Sequence, residues 1–269
     1  DTDRGDHRGP DAAERYADQV ASTIAEIQRG GRGVAAFMAE SIVGCGGQIV
    51  PPAGYLRSVY AHVRAAGGVC IADEVQCGFG RVGEAFWAFQ THGVVPDIVT
   101  MGKPMGNGYP VAAVALKREL AQRFASTGME YFNTYGGNSV ACTVANAVMD
   151  VLEEEGLQAH ALRMGADLRA RLDALARAHP SVGEVRGQGL FLGVELVKPH
   201  ASGGRPEADG GLAADVCRLA KERGVLLSRD GPDENVIKIK PPMTFGPAEA
   251  DFLFRVMDEV LTELESIIR

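Results

Sequence analysis

The chain has 269 residues, of which 46% are hydrophobic, and a formal net charge of -8 at pH 7. This apolar content is enough for the core of one large or two smaller domains. The acidic balance argues against a nucleic-acid partner, since nonspecific binding requires basic surface to displace phosphate counterions. No apolar run approaches the roughly 18 residues that span a bilayer, so we expect a cytoplasmic protein with no membrane partner.

The cysteines and histidines indicate neither a disulfide framework nor a metal site. The five cysteines are odd in number and form no C-x-x-C pair, and the six histidines lack metal-ligand spacing. We therefore predict reduced, mostly buried thiols and no bound metal.

Hydrophobic periodicity predicts helices alternating with strands in the first half of the chain. The predicted elements are a helix over 11–30, a strand over 34–39, a helix over 55–66, strands over 69–72 and 97–101, and an extended segment over 111–116. This alternation predicts an α/β fold with a mostly parallel sheet.

The second half begins with two helices and then changes to shorter elements. Asn138 is predicted to cap an amphipathic helix that ends near Gly156, and a second helix over 158–178 stops before Pro180. The later elements are strands near 185–186, 190–196, 225–227 and 236–240, helices near 212–223 and from 247 to the end, and a solvated loop over 201–211. We predict a large domain over 1–155 and an α+β C-terminal small domain over 156–269.

Two residues that can carry chemistry follow predicted strands. Asp73 follows the strand over 69–72, and Lys103 follows the strand over 97–101 in a turn rich in glycine and proline. Parallel strands bring such residues to the carboxyl edge of a sheet, where α/β proteins bind ligands. Partial desolvation of Lys103 would lower its pKa and free the amine to attack an aldehyde. The alternatives are a solvated turn lysine and a carboxylate that caps a turn.

A Schiff-base lysine with an acidic partner for a pyridinium nitrogen is the signature of a pyridoxal phosphate (PLP) site. In such a site Asp73 would keep the ring nitrogen protonated and Lys103 would hold the aldehyde. Gln76 would hydrogen-bond near the ring oxygen, or satisfy loop backbone instead, and Val75 would pack against a ring face. Glu40 ends a strand at the same edge and either lies near the site or caps the surface.

The motifs resemble the class III aminotransferase family of fold-type I PLP enzymes. The resemblance lies in Ile-Ala-Asp-Glu-Val-Gln-Cys-Gly-Phe-Gly-Arg at 71–81 and Met-Gly-Lys at 101–103, and it extends to segments 40–47, 51–56 and 240–243. It implies that residues 1–155 form a PLP-binding large domain, incomplete at its N-terminus. It also implies Lys103 as the Schiff-base lysine, Asp73 as the pyridinium partner and Gln76 as a ring-oxygen contact.

Segment 132–138, Phe-Asn-Thr-Tyr-Gly-Gly-Asn, is similar to the family loop whose threonine binds the PLP phosphate of the neighbouring subunit. The resemblance implies that Thr134 acts in trans and that the protein is a homodimer. A helix N-terminus also attracts anions, although simple helix capping is an alternative explanation.

Segments 1–5, 102–110 and 236–242 are most similar to the family branch of ethanolamine-phosphate and phosphohydroxylysine phospho-lyases. Many transaminases of the family carry a glutamate where Cys45 stands and an arginine where Lys238 stands. That arginine grips a substrate α-carboxylate as a bidentate fork, which lysine cannot reproduce. We therefore expect a small primary amine substrate, best a phosphoamine such as ethanolamine phosphate. A Lys238 that simply faces solvent is the alternative.

Two further alternatives stay open. One is a transaminase that moves an amino group to a keto acid. The other is a noncatalytic truncated remnant, because family members carry a long N-terminal portion that we expect to be missing here. That portion includes a small-residue loop for the PLP phosphate and an aromatic that stacks on the ring. A remnant would expose sheet edges and apolar surface.

Overall fold

The computed structural model describes residues 6–198 and 206–268, so segment 1–5 and positions 201–205 of the predicted loop lie outside the described residues. Within the described ranges the strands form two four-stranded sheets. No helix in these ranges combines the length and the apolar character that crossing a membrane requires.

The first sheet has the order β1-β2-β3-β4, with β1 to β3 parallel and β4 antiparallel. Its elements are α1 (Ala12–Arg29), β1 (Ala36–Glu40), α2 (Tyr55–Ala65), β2 (Val69–Asp73), β3 (Ile98–Met101), β4 (Ala113–Leu116), α3 (Arg118–Ser126) and α4 (Ser139–Glu154). Helix α2 buries Leu56, Val59 and Val63 in a core cluster that also holds Cys70 and Ala72 of β2. This packing covers one face of the sheet and directs its carboxyl ends to a common edge.

The second sheet is antiparallel, in the order β5-β6-β8-β7. The elements of this part are α5 (Leu157–Ala178), β5 (Val182–Gln188), β6 (Phe191–Leu196), α6 (Gly210–Glu222), β7 (Ser228–Asp230), β8 (Val236–Ile239) and α7 (Pro247–Ile268). All six residues of β6 are buried. Helices α5, α6 and α7 contribute Leu168, Val216 and Val260 to the same hydrophobic cluster as this sheet, so the strands are stabilised by a continuous core.

The loop over 43–49, which follows β1, joins the first sheet to the second. The Nε of Arg186 on β5 donates to the carbonyl oxygen of Gly47 at 2.7 Å. The side-chain nitrogen of Gln48 donates to Oδ2 of Asp230 on β7, also at 2.7 Å. Both contacts are partly or fully buried, so this loop is fixed by residues that lie far away in sequence.

Most predicted elements are confirmed, including α1, α2, the parallel β1 to β3 and the long C-terminal helix. The strand predicted over 225–227 is wrong: β7 lies at Ser228–Asp230, where it pairs with β8, while Leu226 is 84% exposed. Helix α3 was not predicted, and it buries none of its residues. The boundary between 155 and 156 falls in the turn between α4 and α5, and the division into two domains stays a prediction.

Candidate active site

Lys103 follows β3 and begins a short 3-10 turn, Lys103–Gly106. Its φ of 34° lies in the left-handed region that non-glycine residues rarely occupy, a strain of about 1–3 kcal/mol that surrounding structure must offset. Gly106 lies so close to Val111 that a Cβ there would be 2.7 Å from its Cγ1. Helix α4 also packs against the turn. Lys103 is exposed, so the predicted partial desolvation is wrong for the described residues. The fold nevertheless holds this lysine in a strained conformation, which is typical of functional sites.

Asp73 ends β2 beside the strand that leads to Lys103. It is paired in register with Glu40 on one side and with Thr100 on the other. One carboxylate oxygen accepts from the backbone N–H of Val75 at 3.0 Å. Among the described residues, no cation forms an ion pair with Asp73, and the buried Thr100 hydroxyl has no hydrogen-bond partner. A carboxylate and a hydroxyl are thus available at this edge.

Gln76 lies at the centre of a hydrogen-bond chain that crosses between the two sheets. Its Nε2 donates to Oε2 of Glu40 at 3.4 Å and lies 3.7 Å from the Cys45 sulfur. The same Glu40 oxygen accepts from the backbone N–H of Gly44 at 3.1 Å. On the other side, Nζ of Lys240 donates to Oε1 of Gln76 at 2.8 Å. Glu40 therefore lies in the site, one of the two positions that the sequence left open for it.

The charges of this cluster influence one another. Burial raises the pKa of Glu40, and Asp73 adds to that rise, whereas the Gly44 N–H, Lys103 and Lys240 oppose it. Glu40, at the end of β1, therefore lies within electrostatic range of Asp73, Lys103 and Lys240.

Glu74 supports the turn after Asp73 from beneath. Its fully buried carboxylate accepts from the Ser41 hydroxyl at 2.5 Å and from the backbone N–H groups of Ala88 and Phe89 at 2.8 and 2.9 Å. Burial raises the pKa of Glu74, while these three donors lower it. A buried carboxylate with all its donors in place rigidifies its surroundings, so this residue fixes the backbone on which Asp73 and Gln76 stand.

The remaining predicted residues lie at different distances from this cluster. Val75 is close to the Lys103 turn: its Cγ1 lies 3.8 Å from where a Cβ on Gly102 would be. Thr134 is exposed in the segment between α3 and α4. In the described part of the chain its side chain makes no hydrogen bond to the site. The structure therefore brings Lys103, Asp73, Val75 and Gln76 to one edge and leaves Thr134 at the surface.

Lys238 does not face solvent, so that alternative is wrong. Its side chain is only 24% exposed, and its Nζ lies 3.1 and 3.0 Å from the two carboxylate oxygens of Asp230. The ammonium is therefore already paired within the chain.

Sequence reasoning missed the contribution of three site residues. The first is Glu74, which stands next to Asp73 in the sequence, and the second is Lys240, which the sequence places only within the motif at 240–243. Arg81 is the third: its Nη1 donates to the carbonyl oxygens of Leu190 at 3.1 Å and Pro241 at 2.8 Å, and burial lowers its pKa to about 10. The charged residue types inside otherwise apolar segments were the only signal available for them.

The sheet is mostly parallel, a strained lysine follows β3, and a carboxylate ends the neighbouring strand β2. This is the architecture of a fold-type I PLP-dependent protein. The model of the family described as aminotransferase class III matches residues 4–261. The chain belongs to the class III aminotransferase family.

Named relatives and a solved structure are similar over almost the whole chain. An alanine–glyoxylate aminotransferase 2-like protein of Drosophila melanogaster is 52% identical over 92% of this chain and 50% of its own length. The ethanolamine-phosphate phospho-lyase homolog 1 of Caenorhabditis elegans is 44% identical, over 97% of this chain and 58% of its own. A phospholyase from Arthrobacter in complex with phosphoethanolamine superposes with a TM-score of 0.89 at 39% identity, covering 93% of this chain and 58% of that one. The chain thus spans about half the length of the relatives it matches.

The residues at the sheet edge fit PLP, the cofactor of this family. The cofactor needs an amine for its aldehyde, a carboxylate for its ring nitrogen and apolar contact for its ring. Lys103, Asp73 and Val75 offer these groups at one edge, and Asp73 has no competing cation among the described residues. The amide of Gln76 lies beside them and can hydrogen-bond to a ring substituent.

Proposed function

We propose that this chain acts as a PLP-dependent phospho-lyase on a small phosphoamine such as ethanolamine phosphate. The observation that carries the proposal is the pairing of Lys238 with Asp230. At the position where many transaminases of the family hold an arginine fork for an α-carboxylate, this chain has a lysine whose charge is already balanced. A substrate amine without an α-carboxylate suits such a site better than an amino acid does.

The reaction assigned to this site is a β-elimination. When bound, PLP supplies an electron sink for the carbon that bears the amine. Lys103 takes the proton from that carbon, and the bond between the neighbouring carbon and the phosphate oxygen breaks, with its electron pair leaving on phosphate. Water then releases the remaining fragment as an aldehyde and ammonia. Asp73 holds the proton on the ring nitrogen, which keeps the sink effective.

We also propose that the active form is a homodimer in which Thr134 contacts the PLP phosphate of the other subunit. The support is the surface around Thr134, where Tyr131, Phe132 and Tyr135 are 77%, 85% and 82% exposed. Large aromatic side chains in such a run are typical of protein interfaces. The hydroxyl of Thr134 and the N-terminus of α4, five residues further on, suit an anion.

The test is phosphate release from ethanolamine phosphate by the purified chain in the presence of PLP. We expect phosphate, acetaldehyde and ammonia in equal amounts, with no requirement for a keto acid, and no release by Lys103→Ala. A chain that binds PLP at Lys103 yet releases no phosphate from phosphoamines would contradict the assignment.

A transaminase is the second candidate, and it is favoured by the name of the Drosophila relative, the most similar in sequence of those described above. It is distinguished by consumption of a keto acid during turnover without phosphate release. If the chain is a noncatalytic remnant, we expect neither phosphate release nor consumption of a keto acid, and we expect the chain to aggregate. The cytoplasmic location stays a prediction.

A further inference from the structure

Lys240 extends from the end of β8 to the turn that follows β2. Its ammonium lies 2.8 Å from Oε1 of Gln76 and 5.1 Å from the centre of the Phe191 ring. In the part of the chain that the structure describes, no carboxylate forms an ion pair with it. The carbonyl oxygen of the Gln76 amide is therefore its hydrogen-bond acceptor.

The chemistry of the two groups determines which way the Gln76 amide faces. A lysine ammonium has three donors and no acceptor, so only the amide oxygen can face it. On the opposite side, the Glu40 carboxylate accepts hydrogen bonds, so only the amide nitrogen can face it. Lys240 and Glu40 thus select the same one of the two possible amide orientations.

We propose that Lys240 is a positioning residue that fixes the amide orientation of Gln76, so that Gln76 offers the N–H that does not donate to Glu40, and not its carbonyl, to the ring oxygen of PLP. The inference rests on the proposed cofactor site and is independent of the proposed substrate. A donor stabilises a negatively charged ring oxygen, whereas a carbonyl would repel it. Gln76 then favours the deprotonated form of the bound cofactor.

The surroundings of Lys240 make this device sensitive to pH. Burial and the nearby cations Arg81, Lys238 and Lys103 together lower the pKa of Lys240 to about 8, against the opposing effect of Asp230. Glu40 faces the same amide from β1. Below about pH 8 the ammonium can only donate, so it selects the amide oxygen; above it the neutral amine donates more weakly and can also accept, so this selection is lost.

The first experiment is a pH titration of the absorbance of the PLP-loaded protein, in wild type, Lys240→Met, Gln76→Ala and the double variant. We expect Lys240→Met to raise the pKa of the bound chromophore by about one unit, as loss of one hydrogen bond to a charged group implies. In the Gln76→Ala background the same change should produce no further shift. Lys221→Met, at an exposed position on α6, is the matched control and should titrate as wild type.

Two results would overturn the inference. An unchanged titration in Lys240→Met means that Lys240 does not position Gln76. An equal shift with and without Gln76 means that Lys240 acts on the cofactor by its charge alone. Neither result depends on phosphoamine turnover. A wrong substrate assignment would therefore leave this test unaffected, and it would show only in the assay of phosphate release.

A second measurement needs no cofactor. The side-chain amide signals of Gln76, assigned by their loss in Gln76→Ala, are followed by NMR against pH in the cofactor-free chain. We expect them to shift with a midpoint near pH 8 in wild type and Lys221→Met, and to lose that transition in Lys240→Met. Signals that stay constant in wild type, or that keep the transition without Lys240, would contradict the proposed contact.

Discussion

The turn after β2, over 74–81, and the segment that joins α3 to α4, over 127–138, differ sharply in how the chain holds them. In the first, Glu74, Cys77 and Phe79 are buried, and the Glu74 carboxylate accepts hydrogen bonds from the Ser41 hydroxyl and two backbone N–H groups and a weaker one from the Cys77 thiol. In the second, every residue from 127 to 137 is exposed. The same family resemblance points to both. The turn over 74–81 is thus held by contacts within this chain, whereas the described residues do not bury the segment over 127–137.

The largest expected effect comes from Lys103→Ala, which tests whether the edge that carries Asp73, Gln76 and Lys103 binds PLP. Borohydride reduction with PLP, followed by peptide mass mapping, should give a single pyridoxyl adduct on Lys103 in wild type. The variant should give none, because Lys240, the other amine beside Gln76, is held by a hydrogen bond to the Gln76 amide. Lys221→Ala is the control and should keep the adduct. Labelling scattered over the other five lysines in wild type would mean that the edge is not assembled.

Glu74→Gln tests whether the hydrogen bonds to the buried Glu74 carboxylate stabilise the turn after β2. The substitution replaces one carboxylate oxygen by an NH2, which must then face either the Ala88 N–H or the Ser41 hydroxyl and Phe89 N–H, so we expect about 2–4 kcal/mol lower free energy of unfolding. Urea unfolding gives the value. Glu84→Gln, an exposed position in the same region, should change it by less than about 0.5 kcal/mol. Equal stability of the two variants would show that the turn is not held from beneath.

Asp97 anchors the other end of β2 and β3, and its effect should depend on pH. Burial would raise its pKa, but hydrogen bonds from Lys117, from the Cys70 N–H and from Arg64 lower it to about 2 from 3.8. A lowered folded pKa gives stability above pH 3.8 that disappears as pH falls through about 2, worth about 2 kcal/mol.

Unfolding of Asp97→Asn, measured from pH 7 to pH 2, should lack this part of the acid dependence. Asp215→Asn removes an exposed pair with Arg218 and serves as the control, with little expected effect. A wild-type acid profile in Asp97→Asn would contradict the prediction.

The smallest expected effect is that of Thr134→Ala, which probes the exposed segment. Loss of one hydrogen bond to phosphate should weaken PLP binding about tenfold, while thermal stability stays unchanged because the side chain is exposed. Mixing the Thr134→Ala and Lys103→Ala proteins tests whether Thr134 contributes to the site of the other subunit. If Thr134 serves the other subunit, exchanged dimers regain one complete site, and tight PLP binding returns. Mixtures that bind no better than Thr134→Ala alone would place Thr134 outside the site.

Features that depend on neighbouring residues were predictable from the sequence, whereas contacts between residues far apart in the chain were not. The capping of α4 by Asn138 was predictable, and its side chain accepts from the Ala141 N–H at 2.9 Å. Strand ends carrying Asp73 and Lys103 followed from hydrophobic runs. The contact between Lys240 and Gln76 joins residues 164 positions apart, which no local pattern encodes. The placement of β7 likewise depends on pairing with β8, which overrode the apolar run before it.

The loop after β1 has a consequence for exchanging parts between relatives. Its Cys45 carbonyl oxygen accepts from the Gly231 N–H at 2.9 Å, and its Gly47 carbonyl accepts from Arg186. The same loop holds Cys45 beside Gln76. A chimera that joins the first sheet of one family member to the second sheet of another must therefore take this loop together with the strands it contacts. A chimera joined only between α4 and α5 would pair this loop from one protein with strands β5 and β7 from another, and the hydrogen bonds between them would be lost.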